Sequence, residues 1–265
     1  PVTGDLVEAA IDLAARCDLT ILVVGTNDNW ESEGWDRTDI ALPGRQDELI
    51  TRVAQVSSST VVVVNAGSPV GMPWLDAVDS VVMAWFPGQG AGDAIVDVLT
   101  GAVEPQGRLP VTFPMRIEDT PASEHHPGRN GVARYLEGRL IGHQWYTTIG
   151  RDPLFHFGYG LGYGCVSIDS AAAPSAHEVV VSLSNAGTRD AVEVVRPSRR
   201  GSRSTDMPTA RGTSSTRAGH TVRRRTSCAS AAPPATSSTV SRCDRDIGGR
   251  TGGHVVRRGR AAHCG

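Results

Sequence analysis

The chain contains no lysine: all 26 basic residues among its 265 are arginine. A phosphate-binding loop of the GK[ST] type is therefore excluded. Its five cysteines are odd in number and irregularly spaced, which predicts neither a disulfide framework nor a CxxC metal site. No run approaches the roughly 18 apolar residues that a membrane helix needs, and no signal peptide precedes the first predicted helix. These features predict no membrane association and leave the cellular compartment open.

Residues 196–265 contain no Leu, Phe, Trp or Tyr and a single Ile, at position 247. They hold 15 Arg against 3 Asp, whereas residues 1–195 hold 11 Arg against 25 acidic residues. So little apolar surface predicts a disordered tail. Arg223, Arg224 and Arg225 could bind nucleic acid electrostatically, but we favour a frameshift product, because the composition changes within a predicted strand at Val195. Translation of the source DNA in its other two frames tests this hypothesis.

Before the tail, short apolar runs rich in β-branched residues alternate with helical apolar periodicity. This order predicts an α/β fold with a mostly parallel sheet sandwiched by helices. The predicted helices span 6–15, 46–56 and 88–100, and the predicted strands span 19–24, 60–64, 80–85 and 109–113. In the next segment, residues 177–183 and 191–195 alternate like strands.

Ligand loops of such a sheet follow the carboxyl ends of the strands, which places loops 25–45, 65–72 and 86–92 on one rim. The first of these loops holds the acidic cluster WESEGWDR, from Trp30 to Arg37. The third loop is rich in glycine, but it does not complete GxGxxG, because Asp93 takes the last position. We therefore expect the chemistry at the acidic cluster and predict no nucleotide cofactor.

The cluster and its C-terminal flank read ExEGxDRxxxxLPGxQ, which resembles the C-terminal domain of family 3 glycoside hydrolases of the β-glucosidase type. Further blocks resemble that family in order and spacing: residues 88–93, GRLPVTFP within 98–114, YLEG at 135–138 and PLFHFGYGLGY at 153–163. His143-Gln144 and His156 depart from the usual Tyr-Arg and Pro. The resemblance implies three regions: an α/β sandwich domain at 1–165, a truncated fibronectin type III-like domain at 166–195, and the tail.

The resemblance also implies roles for particular residues. Glu33, directly before the glycine of EGxDR, corresponds to the general acid/base. Glu31, two residues earlier, is either a neighbouring carboxylate that binds substrate or the acid/base itself. Trp30, or alternatively Trp35, is expected to stack on a sugar ring.

In this family the nucleophile is an Asp on a preceding (β/α)8 barrel, and nothing in this sequence supplies it. We therefore expect a retaining β-glycosidase fragment that is inactive alone. Its expected partners are a β-glucoside or oligosaccharide substrate and the barrel domain, with no metal, no cofactor, no nucleic acid and no membrane. The alternative functions are a carbohydrate-binding or scaffold module, whose sugar binding Glu33→Gln would leave unchanged, and a nucleic-acid-binding protein, whose binding truncation at Val195 would abolish.

Overall fold

A computed structural model describes residues 4–175, 178–199, 213–216, 221–227, 238–242 and 254–256. The α/β part contains four helices and three strands in the order α1 (Leu6–Ala14), β1 (Thr20–Gly25), α2 (Gln46–Val56), β2 (Thr60–Asn65), β3 (Ser80–Met83), α3 (Ala91–Leu99) and α4 (His143–Ile149). These bounds agree with the predicted bounds to within about three residues, except that α4 was not predicted. No helix in this part of the chain is long and apolar enough to cross a bilayer.

Strands β1, β2 and β3 form a parallel sheet in that spatial order. Ile50 of α2 packs on one face of the sheet, against Val24, Val62 and Val64. Leu99 of α3 packs on the other face. The predicted parallel sheet with helices on both faces is therefore confirmed.

The predicted strand at 109–113 is wrong, because this segment forms only an isolated bridge between Phe113 and Phe155. Pro110 within the segment and Pro114 directly after it have no backbone N–H to donate to a ladder. The segment instead exchanges backbone hydrogen bonds with 154–159. Phe155 packs edge-on against Phe113 and stacks on Tyr159, so the aromatic-rich return segment, residues 153–163, packs across the domain.

The chain continues into antiparallel strands: β4 (Val166–Ser175), β5 (Glu178–Asn185), β6 (Ala191–Arg199), β7 (Thr213–Thr216), β8 (Thr221–Ser227), β9 (Ser238–Arg242) and β10 (His254–Val256). They form two three-stranded sheets, β4-β5-β8 and β7-β6-β9, while β10 pairs with β3. Strands β7 to β10 fall within residues 196–265, for which the sequence predicts a disordered tail. Most of that segment lies outside the described residues, and its disorder stays a prediction. The fibronectin-like assignment of 166–195 also stays a prediction.

The antiparallel part is tied to the α/β part by buried polar contacts. Arg108, from GRLPVTFP, lies 3.5 Å from Glu193 of β6, and their side chains are only 5% and 10% exposed. Arg108 Nη2 also donates to the carbonyl of Val192, in the same strand, at 3.3 Å. The two parts therefore share an ordered interface.

Cys17 and Cys165 differ in oxidation state. Cys17 is free and half-buried. Cys165 is disulfide-bonded, which its irregular spacing did not predict.

Candidate functional site

Glu33 lies at the tip of a tight turn in the loop after β1. Trp35 donates its backbone N–H to the carbonyl of Ser32 at 3.3 Å, which closes a four-residue turn. Gly34, at the third position, has φ +77°, whereas Glu33 is not among the residues with positive φ. This is the pattern of a type II turn, which requires φ > 0 only at the third position and therefore favours glycine there. The glycine of EGxDR thus lets the turn present Glu33 outward.

The Glu33 side chain is exposed. Within the described part of the chain, its carboxylate makes no hydrogen bond and no ion pair. A carboxylate in this position is free to bind an external group or to exchange a proton with one.

Glu31, only two residues away, has a carboxylate that is hydrogen-bonded within the protein. Its Oε1 accepts hydrogen bonds from Ser68 Oγ at 2.6 Å and from Arg37 Nη1 at 3.1 Å. Its Oε2 accepts from the backbone N–H of Gly67 at 2.8 Å. A carboxylate offers about four acceptor sites, so most of the capacity of this one is used inside the protein. Its side chain is 13% exposed.

Arg37 completes this cluster from the other end of the acidic loop. Its Nη1 also donates to Ser68 Oγ at 2.9 Å, and its guanidinium lies 3.4 Å from the carbonyl oxygens of Pro69 and Ala41. Arg37 thus pairs with Glu31 rather than with the adjacent Asp36, and it also contacts loop backbone. We call Glu31, Arg37, Gly67 and Ser68 the loop clamp.

All three predicted rim loops meet at the loop clamp. A Cβ atom on Gly67 would lie 2.6 Å from Glu31 Oε2 and 2.7 Å from a ring carbon of Phe86. Only glycine leaves room for this approach of the first and third loops to the second. Sequence analysis missed Gly67 and Ser68 as members of the site, although it placed their loop on the correct rim.

The LPGxQ part of the motif anchors the far end of the acidic loop. Gly44 has φ +63° and turns the chain into α2. Gln46 then accepts a hydrogen bond from the Gly25 N–H at 2.7 Å and donates to the Gly25 carbonyl at 2.9 Å. One side-chain amide thus joins the start of α2 to the end of β1, so both ends of the loop are fixed.

Buried polar groups also hold the first turn of α2. Trp74 donates Nε1–H to Asp47 Oδ1 at 2.6 Å. Burial raises the pKa of the Asp47 carboxyl, although this hydrogen bond opposes the shift.

The long loop after Phe113 reaches the acidic cluster through a histidine. His126 Nε2 lies 3.3 Å from Asp36 Oδ2, in an exposed contact. The neighbouring His125 bonds Glu137 at 2.7 Å. A hydrogen bond from the Glu137 backbone N–H and, after it, the bond with His125 lower the pKa of the Glu137 carboxyl. The two adjacent histidines thus have different partners. No metal-binding group of three His, Cys, Asp or Glu side chains occurs within the described residues.

The two tryptophans of the cluster differ in exposure. Trp30 is half-buried, whereas Trp35 is 71% exposed beside the Glu33 turn. Both remain candidates for a sugar contact, and Trp35 offers much the larger free surface.

A groove of about 670 Å³ opens beside the loop clamp. Its lining includes Arg37 and Asp39, the apolar residues Ile40, Pro69, Val111, Ile141 and Phe157, and residues of α4. His143 and Gln144, which depart from the family pattern, both line this groove, and the His143 ring stacks on Phe157 at 4.7 Å. Tyr146, also in the lining, donates its hydroxyl to the Asp119 carbonyl at 2.6 Å, and burial raises its pKa to about 12. The groove is therefore mainly apolar.

With this geometry in place, the comparison with known proteins is decisive. Residues 4–163 match the model of the glycosyl hydrolase family 3 C-terminal domain. The chain belongs to this family. The acidic loop and its clamp, the GRLPVTFP segment and the aromatic-rich return segment all fall within the matched residues, which confirms the resemblance drawn from the sequence.

The individual relatives are β-glucosidases. A β-glucosidase of Rhizobium radiobacter is 46% identical over 158 residues, which is 58% of this chain and 19% of that protein. β-Glucosidase B of Emericella nidulans is 43% identical over 210 residues, which is 72% of this chain and 25% of that protein. A Kluyveromyces marxianus β-glucosidase solved in complex with glucose aligns with a TM-score of 0.72 and 31% identity, covering 83% of this chain and 28% of that one. This chain thus spans about a fifth to a quarter of the length of these curated relatives.

Proposed function

We propose that this chain supplies the general acid/base of a retaining β-glucosidase and that Glu33 carries that role. Retaining glycosidases use two carboxyl groups about 5–5.5 Å apart, one as nucleophile and one as acid and then base. Glu33 would protonate the leaving glycosidic oxygen and later remove a proton from the attacking water. The support is its exposed carboxylate at the rim, free of partners in the described chain.

The hydrogen bonds of the neighbouring Glu31 support the choice of Glu33 as the acid/base. Glu31 accepts three hydrogen bonds within the loop clamp. If it left the clamp to bind a sugar, Arg37 would lose its carboxylate partner. We therefore propose that Glu31 positions the loop, and that Trp35 or Trp30 contacts the sugar.

The nucleophile has to come from outside the described residues. General acids of this type rely on burial and on a nearby carboxylate to raise their pKa. Because Glu33 is exposed here, both influences would come from a barrel domain packed against this rim. We therefore propose that the 265-residue chain alone does not hydrolyse glucosides. The substrate class, a terminal β-linked glucoside, is proposed from the β-glucosidase relatives.

A domain exchange tests the assignment. Residues 4–163 would replace the matching segment of the Rhizobium radiobacter β-glucosidase, to which this chain is 46% identical over 158 residues. In the chimera, Glu33→Gln is expected to lower kcat for cellobiose by about 10²–10⁴-fold, the usual contribution of general acid–base catalysis. The loss of kcat/KM, which reports the first step, should be smaller for 2,4-dinitrophenyl glucoside, whose leaving group needs no proton.

Asp36→Asn is the matched control, since it removes an exposed carboxylate from the same loop. It should change kcat only a few-fold. The assignment is refuted if Glu33→Gln behaves like Asp36→Asn, or if Glu31→Gln alone causes the leaving-group-dependent loss. Hydrolysis of an aryl β-glucoside by the purified 265-residue chain, abolished by Glu33→Gln, would refute the proposed inactivity.

A further inference from the structure

A two-residue hairpin lies at the tip of the long loop that follows Phe113. Arg129 donates its backbone N–H to the carbonyl of Val132 at 3.1 Å, and Val132 donates back at 3.0 Å. Between them, Asn130 has φ +54° and Gly131 has φ +75°. Positive φ at both central residues is the pattern of a type I′ turn, in which asparagine followed by glycine is a preferred pair. The pair Asn-Gly thus sets the shape of this hairpin.

Both residues of the pair are open to solvent. Asn130 and Gly131 are exposed, and a Cβ atom built on Gly131 would meet no atom within 4 Å beyond its chain neighbours. Within the described residues, neither the Asn130 side-chain amide nor the Gly131 N–H makes a hydrogen bond. Two backbone hydrogen bonds between exposed residues close the tip, and segments of this kind open locally at little cost in free energy. The side chain of Asn130 and the nitrogen of Gly131 can therefore approach each other in the folded protein.

Asn130 is the only asparagine of the chain that is followed by glycine. The other four precede Asp, Trp or Ala and are Asn27, Asn29, Asn65 and Asn185. The residues after them carry a Cβ atom, which restricts the backbone, whereas glycine adopts nearly all conformations. Asn185 is in addition only 3% exposed, and its side chain takes part in three hydrogen bonds. Backbone freedom and access to solvent thus distinguish Asn130 from the others.

Arg129 adds a positive charge directly before this pair. Its side chain is exposed and has no carboxylate partner within the described part of the chain. A nearby opposite charge favours the ionised form of a group. The guanidinium therefore stabilises the anion that forms when the Gly131 N–H loses its proton, and this anion is a nucleophile next to the carbonyl carbon of the Asn130 amide.

We propose that Asn130 is a site of spontaneous deamidation in the folded protein. The ionised Gly131 nitrogen attacks Cγ of Asn130 and forms a new C–N bond. The bond from Cγ to the side-chain nitrogen breaks, this nitrogen takes a proton from water and leaves as ammonia, and a cyclic succinimide remains. Water then opens the ring: attack at Cγ gives aspartate, and attack at the main-chain carbonyl carbon gives isoaspartate. Water is consumed and ammonia released, with no oxidation or reduction.

The reaction changes both the charge and the backbone of the loop. Either product places a carboxylate at position 130. Isoaspartate also lengthens the main chain by one carbon, which a two-residue turn does not accommodate, so the pairing of Arg129 with Val132 should be lost. The same loop reaches the acidic cluster through the contact of His126 with Asp36, so deamidation alters a segment that contacts this cluster. The proposal does not depend on the proposed function.

Ageing of the purified 265-residue chain tests the proposal. The folded chain is incubated in mildly alkaline buffer, and its peptides are mapped by mass spectrometry, which detects the replacement of NH2 by OH. A protein isoaspartyl methyltransferase measures the isoaspartate. Conversion at Asn130 should be at least about fivefold faster than at any other asparagine, because a Cβ atom on the following residue disfavours part of the conformations that glycine adopts freely.

Two variants identify the chemistry. Gly131→Ala should slow the conversion of Asn130 at least about fivefold, and its methyl group would meet no neighbouring atom. Asn130→Gln is the matched control: it keeps the amide but moves it one carbon further from the Gly131 nitrogen, and it should abolish the isoaspartate at this position. Circular dichroism checks that both variants fold as the wild type does.

Three results would overturn the proposal. In the first, Asn130 converts in urea but not in the folded chain, which would mean that the turn protects it. In the second, Asn27, Asn29 or Asn65 converts as fast as Asn130. In the third, Gly131→Ala leaves the rate of conversion unchanged.

Discussion

Removal of the Glu31 carboxylate should destabilise the folded domain, even though Glu31 lies in a loop beside the proposed catalytic residue. Each hydrogen bond to a charged group contributes about 1.5–3 kcal/mol, and Glu31 accepts three of them, from Arg37, Ser68 and Gly67. Their sum is an upper bound, because the ionised groups also lose hydration on folding. Breaking a buried ion pair costs about 3–5 kcal/mol. With side chains 13% and 15% exposed, we expect about 3 kcal/mol for Glu31→Ala.

For a folded part of this size, 1 kcal/mol corresponds to about 2–4 °C in Tm, so Glu31→Ala should lower Tm by about 6–12 °C. Glu31→Gln retains an acceptor but loses the charge, and it should cost about 1–2 kcal/mol. The assays are thermal unfolding followed by circular dichroism and urea unfolding, in which a constant m value shows that only stability has changed. Asp36→Ala removes a carboxylate that is 77% exposed, from the same loop, and should shift Tm by no more than about 2 °C.

A double-mutant cycle isolates the ion pair itself. Arg37→Met and Glu31→Ala should show a coupling free energy of about 1–3 kcal/mol, because each variant alone leaves its partner without its main contact. The reasoning is refuted if Glu31→Ala is no worse than Asp36→Ala. It is equally refuted if the two clamp substitutions are additive.

Three further changes probe the framework around the site. Arg108→Met should lower the free energy of unfolding, measured in urea, by about 3–5 kcal/mol, because it leaves Glu193 charged and buried. The double variant with Glu193→Leu should recover much of that loss. Fully additive effects of the two substitutions would contradict this expectation. Hydrogen bonding and charge from its arginine partners lower the pKa of Asp119, so the stability it contributes is present above pH 4 and is lost as pH falls through the folded-state pKa. The Tm difference between wild type and Asp119→Asn should therefore shrink toward pH 2.5, and a constant difference would argue against the ion pair. Gly67→Ala should destabilise by about 1–3 kcal/mol in the same assay, since its Cβ would meet the Glu31 carboxylate at 2.6 Å, and a neutral effect would mean that the rim loops relax easily.

The parallel sheet could be predicted because the local sequence of each strand is itself typical of a buried strand. The run VVVV at 61–64 is buried on both faces and reads as a strand without any knowledge of its neighbours. Helix α4 was missed because it has only seven residues and buries only Tyr146. The segment at 109–113 was wrongly predicted as a strand because its pairing depends on contacts more than 40 residues away, with 154–159. Patterns within a window of about ten residues cannot encode such contacts.

In the candidate site too, contacts with distant residues decide what the local sequence cannot, namely the different roles of Glu31 and Glu33. Glu31 and Glu33 are chemically identical and differ by two positions, so sequence spacing gives no physical reason to separate them. The separation comes from Gly67 and Ser68, which lie 34 or more positions further along the chain and bond one carboxylate but not the other. The motif ExEGxDR can then be understood as a division of labour in which the first Glu and the Arg fix the loop to the rim. The Gly sets the turn, and the second Glu is left exposed for a partner outside this chain. If that division is correct, the clamp variants should impair stability and the Glu33 variants only catalysis, so that Glu33→Gln leaves Tm within about 2 °C of wild type.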